Sequence, residues 1–198
     1  MADPGPCAVL VLAAGGSKRM GQAKQLMQLD GLPLLRRAVL VAIEARLQAV
    51  VVVLGAEAER VRTSIPDLDV HIVVNARWRD GLASSLRAGT SEIERILPGA
   101  RGLIAMPADQ PRLTAAHLQA IDRVQRERGA AIVATDFGDH RGPPAYFGRL
   151  HFPALKSLCG DVGARELLRG DAVETVAAEP GSGFDVDRPC DLARLQDG

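Results

Sequence analysis

The chain has 198 residues, 47% of them hydrophobic, with 24 basic and 24 acidic residues that cancel to a formal net charge of zero. That length and apolar content suit one folded domain with a full core and exclude a disordered chain. A balanced charge argues against a general nucleic-acid or anionic-membrane surface, so any anion site must be local. Cys7, Cys159 and Cys190 are scattered without a C-x-x-C pair. This points away from a zinc site or disulfide framework and toward a reducing cytoplasm. Met1 to Pro6 carries no basic region or long apolar stretch, so no signal peptide is expected. No run reaches the length of a membrane span.

In chain order, Ala8 to Ala13 is an apolar run short enough for a buried parallel strand. It leads into the glycine-rich, basic loop Gly15-Gly16-Ser17-Lys18-Arg19-Met20-Gly21, with Lys24 three residues beyond. Glycines let a backbone approach a ligand and turn its N–H groups inward, and Lys18, Arg19 and Lys24 add charge suited to phosphate. Two familiar phosphate loops fail here. Gly16 and Gly21 have the Walker spacing, but Gln22 and Ala23 stand where Lys and Ser/Thr belong. Ser17 breaks the G-x-G-x-x-G dinucleotide pattern.

A helix is predicted over Pro33 to Arg46, with Leu35, Val39, Ala42 and Ile43 on its apolar stripe. Further on, the pattern predicts a strand over Gln48 to Leu54, a short polar helix over Ala56 to Ser64 and a strand over Val70 to Val74. Then come a helix over Leu82 to Leu97, a strand over Gly102 to Met106, a helix over Thr114 to Arg128 and a strand over Ala130 to Thr135. This alternation predicts a mainly parallel sheet covered by helices on both faces. After it, Ala145 to Gly148 reads as an edge strand, Gly163 to Arg169 as helical, and Arg188 or Pro189 to Gln196 as a final helix.

Ligands of such sheets sit beyond the carboxyl ends of the strands. Several polar clusters fall there. Asn75 to Ser85 follows the third strand; Ser84 and Ser85 open a helix, and Trp78 reads as a packing aromatic. Asp109 sits between Pro107 and Pro111 just past a strand. On spacing alone it is equally a turn aspartate or a carboxylate for a hard cation such as Mg²⁺. Asp187 in Asp185-Val186-Asp187 reads as a helix N-cap that could also face an ion. Arg141 to Ala145 and Gly160 to Arg165 form the remaining cluster, in which Asp161 is a plausible cap and Arg165 an ordinary helix arginine. His71, His117, His140 and His151 are dispersed and are assigned no role.

The stretch Leu12-Ala13-Ala14-Gly15-Gly16-Ser17-Lys18-Arg19-Met20-Gly21-Gln22-Ala23-Lys24 resembles the L-x-x-G-x-S-x-R-M-G-x-x-K signature of nucleotidyltransferases. It is most similar to that of the MobA-like molybdenum cofactor cytidylyltransferases. D-Q-P at Asp109, D-V-D at Asp185 to Asp187, R-G-P-P at Arg141 to Pro144 and G-D-V-G-A-R at Gly160 to Arg165 resemble four further elements of that family in order. Pro143 departs from its usual Asn or His.

The resemblance implies a Rossmann-like three-layer α/β/α nucleotidyltransferase fold in a single domain. Its nucleotide half would span about residues 7–111 and its acceptor half about 112–198. It implies transfer of CMP from CTP to the terminal phosphate of molybdopterin, with a client molybdoenzyme as a further partner. Lys24 and Arg19 would offset phosphate charge, and Asp109 and Asp187 would hold Mg²⁺. Ala13, Ala14, Gly15, Gly16, Ser17, Gly81, Ser84 and Ser85 would face the nucleotide. Pro144, Asp161 and Arg165 would face the acceptor. GTP in place of CTP, another phosphorylated acceptor, and a non-catalytic cofactor chaperone are the rival readings.

Overall fold

The computed structural model describes residues 5–17, 21–161, 163–170 and 172–196. Arg19 and Lys18 therefore lie outside the described residues. The strand β1 (Cys7–Ala13) is followed by a 3₁₀ turn (Lys24–Leu26) and a small hairpin, β2 (Gln28–Leu29) and β3 (Leu32–Pro33). Asp30 and Gly31 turn that hairpin with φ of 53° and 76°. Asp-Gly is a preferred pair for such a two-residue loop. The chain continues through α1 (Leu34–Glu44), β4 (Ala49–Leu54), α2 (Ala58–Arg62), β5 (His71–Val74) and α3 (Leu82–Ile96). Next come β6 (Gly102–Pro107), α4 (Ala115–Arg128), β7 (Ile132–Asp136) and β8 (Arg141–Gly148). It ends with α5 (Phe152–Ser157), β9 (Glu174–Ala177) and α6 (Pro189–Gln196).

Seven strands form one sheet in the order β5-β4-β1-β6-β8-β7-β9. β1 pairs in parallel with β4 and β6, and β4 with β5. Both faces of β1 are covered, which its CAVLVLA sequence requires. On one face Val9, Val11, Val52 and Ile104 pack with Leu35 and Val39 of α1 and Leu118 and Ile121 of α4. On the other, Leu10, Val53 and Leu103 pack with Leu86 and Ile93 of α3 and Phe152 of α5. The result is a three-layer α/β/α stack.

Register then determines where the loops emerge. Ala13 lies opposite Leu54, Leu12 opposite Pro107, and Leu54 opposite Val74. The four parallel strands thus end level, and the segments after Ala13, Leu54, Val74 and Pro107 share one edge. No helix among the described residues is long and apolar enough to cross a membrane.

Several expectations are corrected. The edge strand expected over Ala145 to Gly148 is the second half of β8, an eight-residue strand inside the sheet, antiparallel to both β6 and β7. Its prolines sit where the pairing with β7 jumps from Ala134↔Ala145 to Thr135↔Gly142. Prolines lack an N–H for the ladder and are tolerated at such an irregularity. The helix expected over Gly163 to Arg169 is only a 3₁₀ turn, Arg165–Leu168. Ile43 is exposed, not part of the buried stripe of α1. The hairpin, α5 and β9 were not foreseen.

Gly89 shows how tightly α3 meets the sheet. A Cβ there would overlap Leu10 and come within 3.0 Å of Val53. A Gly→Ala change inside a helix ordinarily stabilises by about 1 kcal/mol. Overpacking a sealed core costs about 1–3 kcal/mol and should dominate here. Gly89→Ala is expected to lower the midpoint of thermal unfolding, measured by circular dichroism; a raised midpoint would show that the contact relaxes freely.

Candidate active site

The loop after β1 is shaped by contacts with the 3₁₀ turn that follows it. Gln25 is buried, and its amide donates to the carbonyls of Ala13 and Gly15, each at 2.8 Å. The backbone N–H of Lys24 donates to Ser17 Oγ at 3.0 Å, and Ser17 has a left-handed backbone, φ 48°. Gly16 has to be glycine for Trp78, because a Cβ would come within 2.7 Å of the indole. Gly55 allows a similar approach of Ala14, whose carbonyl would lie 2.6 Å from a Cβ there.

Lys24 reaches across the sheet edge to two carboxylates. Its Nζ is bonded to Asp109 Oδ2 and lies 3.5 Å from Asp187 Oδ1. Asp109 follows β6, and Asp187 precedes α6. The two segments are tied by the Val186 N–H, which donates to the Asp109 carbonyl at 2.9 Å. Asp191 fixes the backbone beyond them, accepting from the N–H groups of Asp187 and Arg188 at 3.0 and 2.7 Å. Burial works against the Lys24 charge, but Asp109 and Asp187 outweigh it and hold the ammonium pKa above its ordinary value.

Asp185 is a third acid in the same cleft. Burial raises its pKa; the amide of Gln110, which donates to Oδ1 at 2.9 Å, counters this, and Asp109 and Asp187 raise it further. Gln110 Oε1 is buried without a hydrogen-bond partner among the described residues.

On the other side of the loop, Asn75 is buried and donates to Ser84 Oγ at 2.8 Å and Ser85 Oγ at 3.1 Å. Trp78 lines the cleft, with the Arg79 guanidinium 4.3 Å from its ring centroid. Gly81 has φ 95° and opens α3. The first N–H of α3, on Leu82, donates to Asp161 Oδ1 at 3.3 Å, so Asp161 caps α3 and not the turn that follows it in sequence. The far wall carries Phe137 and His140, stacked with centroids 4.9 Å apart, together with Arg141 and Arg165.

All these walls enclose one cleft of about 750 Å³. It brings together Ala13, Ala14, Gly15, Gly16, Ser17, Lys24, Gly81, Ser85, Asp109, Asp161, Arg165 and Asp187 from the sequence-predicted set. Ser84 and Pro144 do not line it. Ser84 Oγ is turned back to the carbonyls of Arg77 and Gly81, at 2.9 and 2.8 Å. Pro144 is buried, and its carbonyl accepts from Thr135 Oγ1 at 2.7 Å. That hydroxyl in turn meets His117 Nε2, whose pKa burial lowers. Sequence reading missed Gln25, and it gave no role to Gln110, Asn75, Phe137 and His140. Amides that bind carbonyls, hydroxyls or carboxylates far along the chain carry no local pattern.

The donor set suits a divalent cation. Asp109 and Asp187 offer hard oxygens to a common point, and the Lys24 ammonium already stands as a cation between them. No group of three or more His, Cys, Asp or Glu among the described residues is arranged to hold a metal alone. Substrate phosphates and water would complete such a shell.

Comparison with known proteins gives a consistent result. Residues 9–177 match a family described as the MobA-like NTP transferase domain. The purine catabolism protein PucB of Bacillus subtilis is 31% identical over 191 residues, 90% of each chain. The nicotine blue oxidoreductase of Paenarthrobacter nicotinovorans is 31% identical over 203 residues, 96% of this chain and 97% of that one. The crystal structure of Rv0371c from Mycobacterium tuberculosis matches with a TM-score of 0.84 at 31% identity, over 99% of this chain and 100% of that one. Its complex with manganese matches with a TM-score of 0.80 at 29% identity, over 98% and 99%.

The crowding of Asp185 yields a pH test. A carboxyl whose pKa is raised by folding binds its proton more tightly when folded, so its ionisation at neutral pH opposes folding. That penalty disappears as pH falls below the ordinary aspartate range, about 4. Asp185→Asn keeps an acceptor for Gln110. Its unfolding midpoint should exceed that of the unsubstituted protein at pH 8, with the gap closing toward about pH 4. A lower midpoint at pH 8 would contradict the crowding.

Proposed function

The chain belongs to the family of MobA-like NTP transferases, and on that premise we propose that it transfers CMP from CTP to the terminal phosphate of a molybdopterin-type acceptor. One observation carries this reading. Lys24, Asp109 and Asp187 converge beside the glycine-rich loop, inside a cleft of about 750 Å³.

In the proposed reaction an acceptor phosphate oxygen attacks the α-phosphorus of CTP. The bond from that phosphorus to the bridging oxygen breaks, and pyrophosphate leaves. Such chemistry needs positioning and charge compensation, not a protein nucleophile. The loop at Ala13 to Ser17 is held in shape by Gln25, so its backbone can lie against the nucleotide without reorganising. Lys24 would supply positive charge where the leaving pyrophosphate gains negative charge, and Arg19 would add to it. Asp109 and Asp187 would hold Mg²⁺, which when bound offsets charge on the α-phosphate and pyrophosphate oxygens. That the 29%-identical mycobacterial protein forms a complex with manganese supports the use of a divalent ion.

Gly81 and Ser85, steadied by Asn75, would face the base and ribose, with Ser84 supporting them from behind. Asp161 and Arg165 would lie toward the acceptor, and Pro144 would act through the shape of β8. The same reading implies a cytoplasmic reaction whose product passes to a client molybdoenzyme.

The decisive assay is pyrophosphate release across nucleotides, with and without molybdopterin. Ala13, Ala14 and Gly15 line the cleft, and the small side chains of the two alanines are expected to suit a pyrimidine better than a purine. CTP should therefore exceed GTP in kcat/KM, and a GTP preference would overturn the cytidylyl reading while keeping the fold. A protein that binds molybdopterin but turns over no nucleotide would favour the chaperone reading.

Loss of a preorganised charge typically costs about 10²–10³ in rate. Lys24→Ala and Asp187→Asn should each lose turnover on that scale, with unfolding midpoints close to the parent. Asn caps a helix about as well as Asp, so an Asp187→Asn enzyme with unchanged Mg²⁺ dependence would reduce Asp187 to a structural residue.

A further inference from the structure

Lys24 is normally read as a group waiting for phosphate, yet its ammonium is bonded to Asp109 and lies 3.5 Å from Asp187. The neighbourhood explains this. Asp109, Asp185 and Asp187 all face the cleft, and among the described residues Lys24 is a cation within reach of two of them. Without a cation between them the carboxylates would repel one another. The backbone of Lys24 is pinned, its N–H on Ser17 Oγ and its carbonyl accepting from Met27 N–H at 3.0 Å each. Its four-carbon stem is the flexible part.

We propose that Lys24 is an exchangeable internal cation, which holds Asp109 and Asp187 converged until a divalent ion takes its place. Ammonium and metal then compete for the same carboxylate oxygens. A divalent ion alone binds poorly because it must displace Lys24, and it binds well when a nucleotide arrives with it and offers the displaced ammonium new phosphate partners. The nucleotide half of this statement rests on the proposed transfer reaction, but the competition between Lys24 and the ion does not. Lys24 is thus a positioning residue for the acids before it acts on substrate.

The competition makes an unusual prediction, that removing a supposed catalytic residue improves metal binding. Mn²⁺ binding is measured by electron paramagnetic resonance at pH 8 without nucleotide, for the parent chain and for Lys24→Met and Lys24→Gln. A unit charge a few ångströms from a site acts strongly at a partly buried position, so both variants should bind Mn²⁺ at least about tenfold more tightly than the parent. Adding Asp109→Asn to either should abolish the gain. Equal or weaker Mn²⁺ binding by the folded variants overturns the proposal.

The unsubstituted chain offers a second test that needs no variant to fold. Acetylation of Lys24 by acetic anhydride, followed by mass spectrometry, should accelerate when Mn²⁺ is added, because the displaced amine leaves its carboxylates. An unchanged rate at saturating Mn²⁺ also overturns the proposal. These results separate cleanly from the proposed function. Absent pyrophosphate release with every nucleotide would sink the transferase reading and leave the exchange standing, while normal release with no change in Mn²⁺ affinity would do the reverse.

Discussion

The level ends of β1, β4, β5 and β6 are the constraint on which the rest of the structure depends. A parallel sheet with Ala13 opposite Leu54, Leu12 opposite Pro107 and Leu54 opposite Val74 can open its loops only along one edge. The glycine-rich loop, Asn75 with its serine partners, and Asp109 meet there because the register leaves them nowhere else to go. The register in turn is held by a two-faced core, since a slip by one residue would exchange Val9 and Val11 with Leu10 between unlike helix surfaces. The later part of the chain adds what the parallel strands lack. Val186 bonds the Asp109 backbone and brings Asp187 to the same edge, and Asp161 caps α3 from the opposite wall.

Electrostatics then decide what this edge can do. The chain is neutral as a whole, but the cleft gathers Asp109, Asp185 and Asp187 around Lys24. A triphosphate brought to that cluster would meet like charge, and binding there is favourable only with a cation between acid and phosphate. The convergence of Asp109 and Asp187 beside the glycine-rich loop is therefore an argument for a divalent ion that needs no metal-binding motif. Deep burial is absent: Lys24 and Asp109 keep 20% of their side-chain surface exposed. Such partly exposed pairs remain able to exchange partners, where a sealed pair would be fixed.

Much of the fold was legible because its signals are local. The β-branched runs, the helical stripes and the Thr114 cap, which accepts from the His117 N–H at 3.1 Å, each declare themselves within a few residues. Asp109 and Asp187 were singled out by the resemblance, because on spacing alone each reads equally as a turn or cap aspartate. What escaped was set by distant pairing. The prolines of β8 read as a turn and only its second half as a strand, but its place in the sheet is fixed by pairing with β6 as well as β7. The 3₁₀ turn at Arg165–Leu168 resembled a helix by composition, and only the tertiary packing shortens it. Gln25, Asn75 and Gln110 are polar residues whose partners lie 10, 9 and 75 positions away. Ser84 was grouped with Ser85 by adjacency, although successive helix positions point in different directions and only Ser85 reaches the cleft.

The central claim is that this cleft moves a nucleotidyl group and discards pyrophosphate. Following the label of CTP carrying ³²P at the α- or the γ-position tests it most directly, in the presence of molybdopterin and Mg²⁺. The account predicts that the α-label appears in the pterin product and the γ-label in pyrophosphate. Release of the γ-label as inorganic phosphate, with the α-label left in CDP, would contradict it.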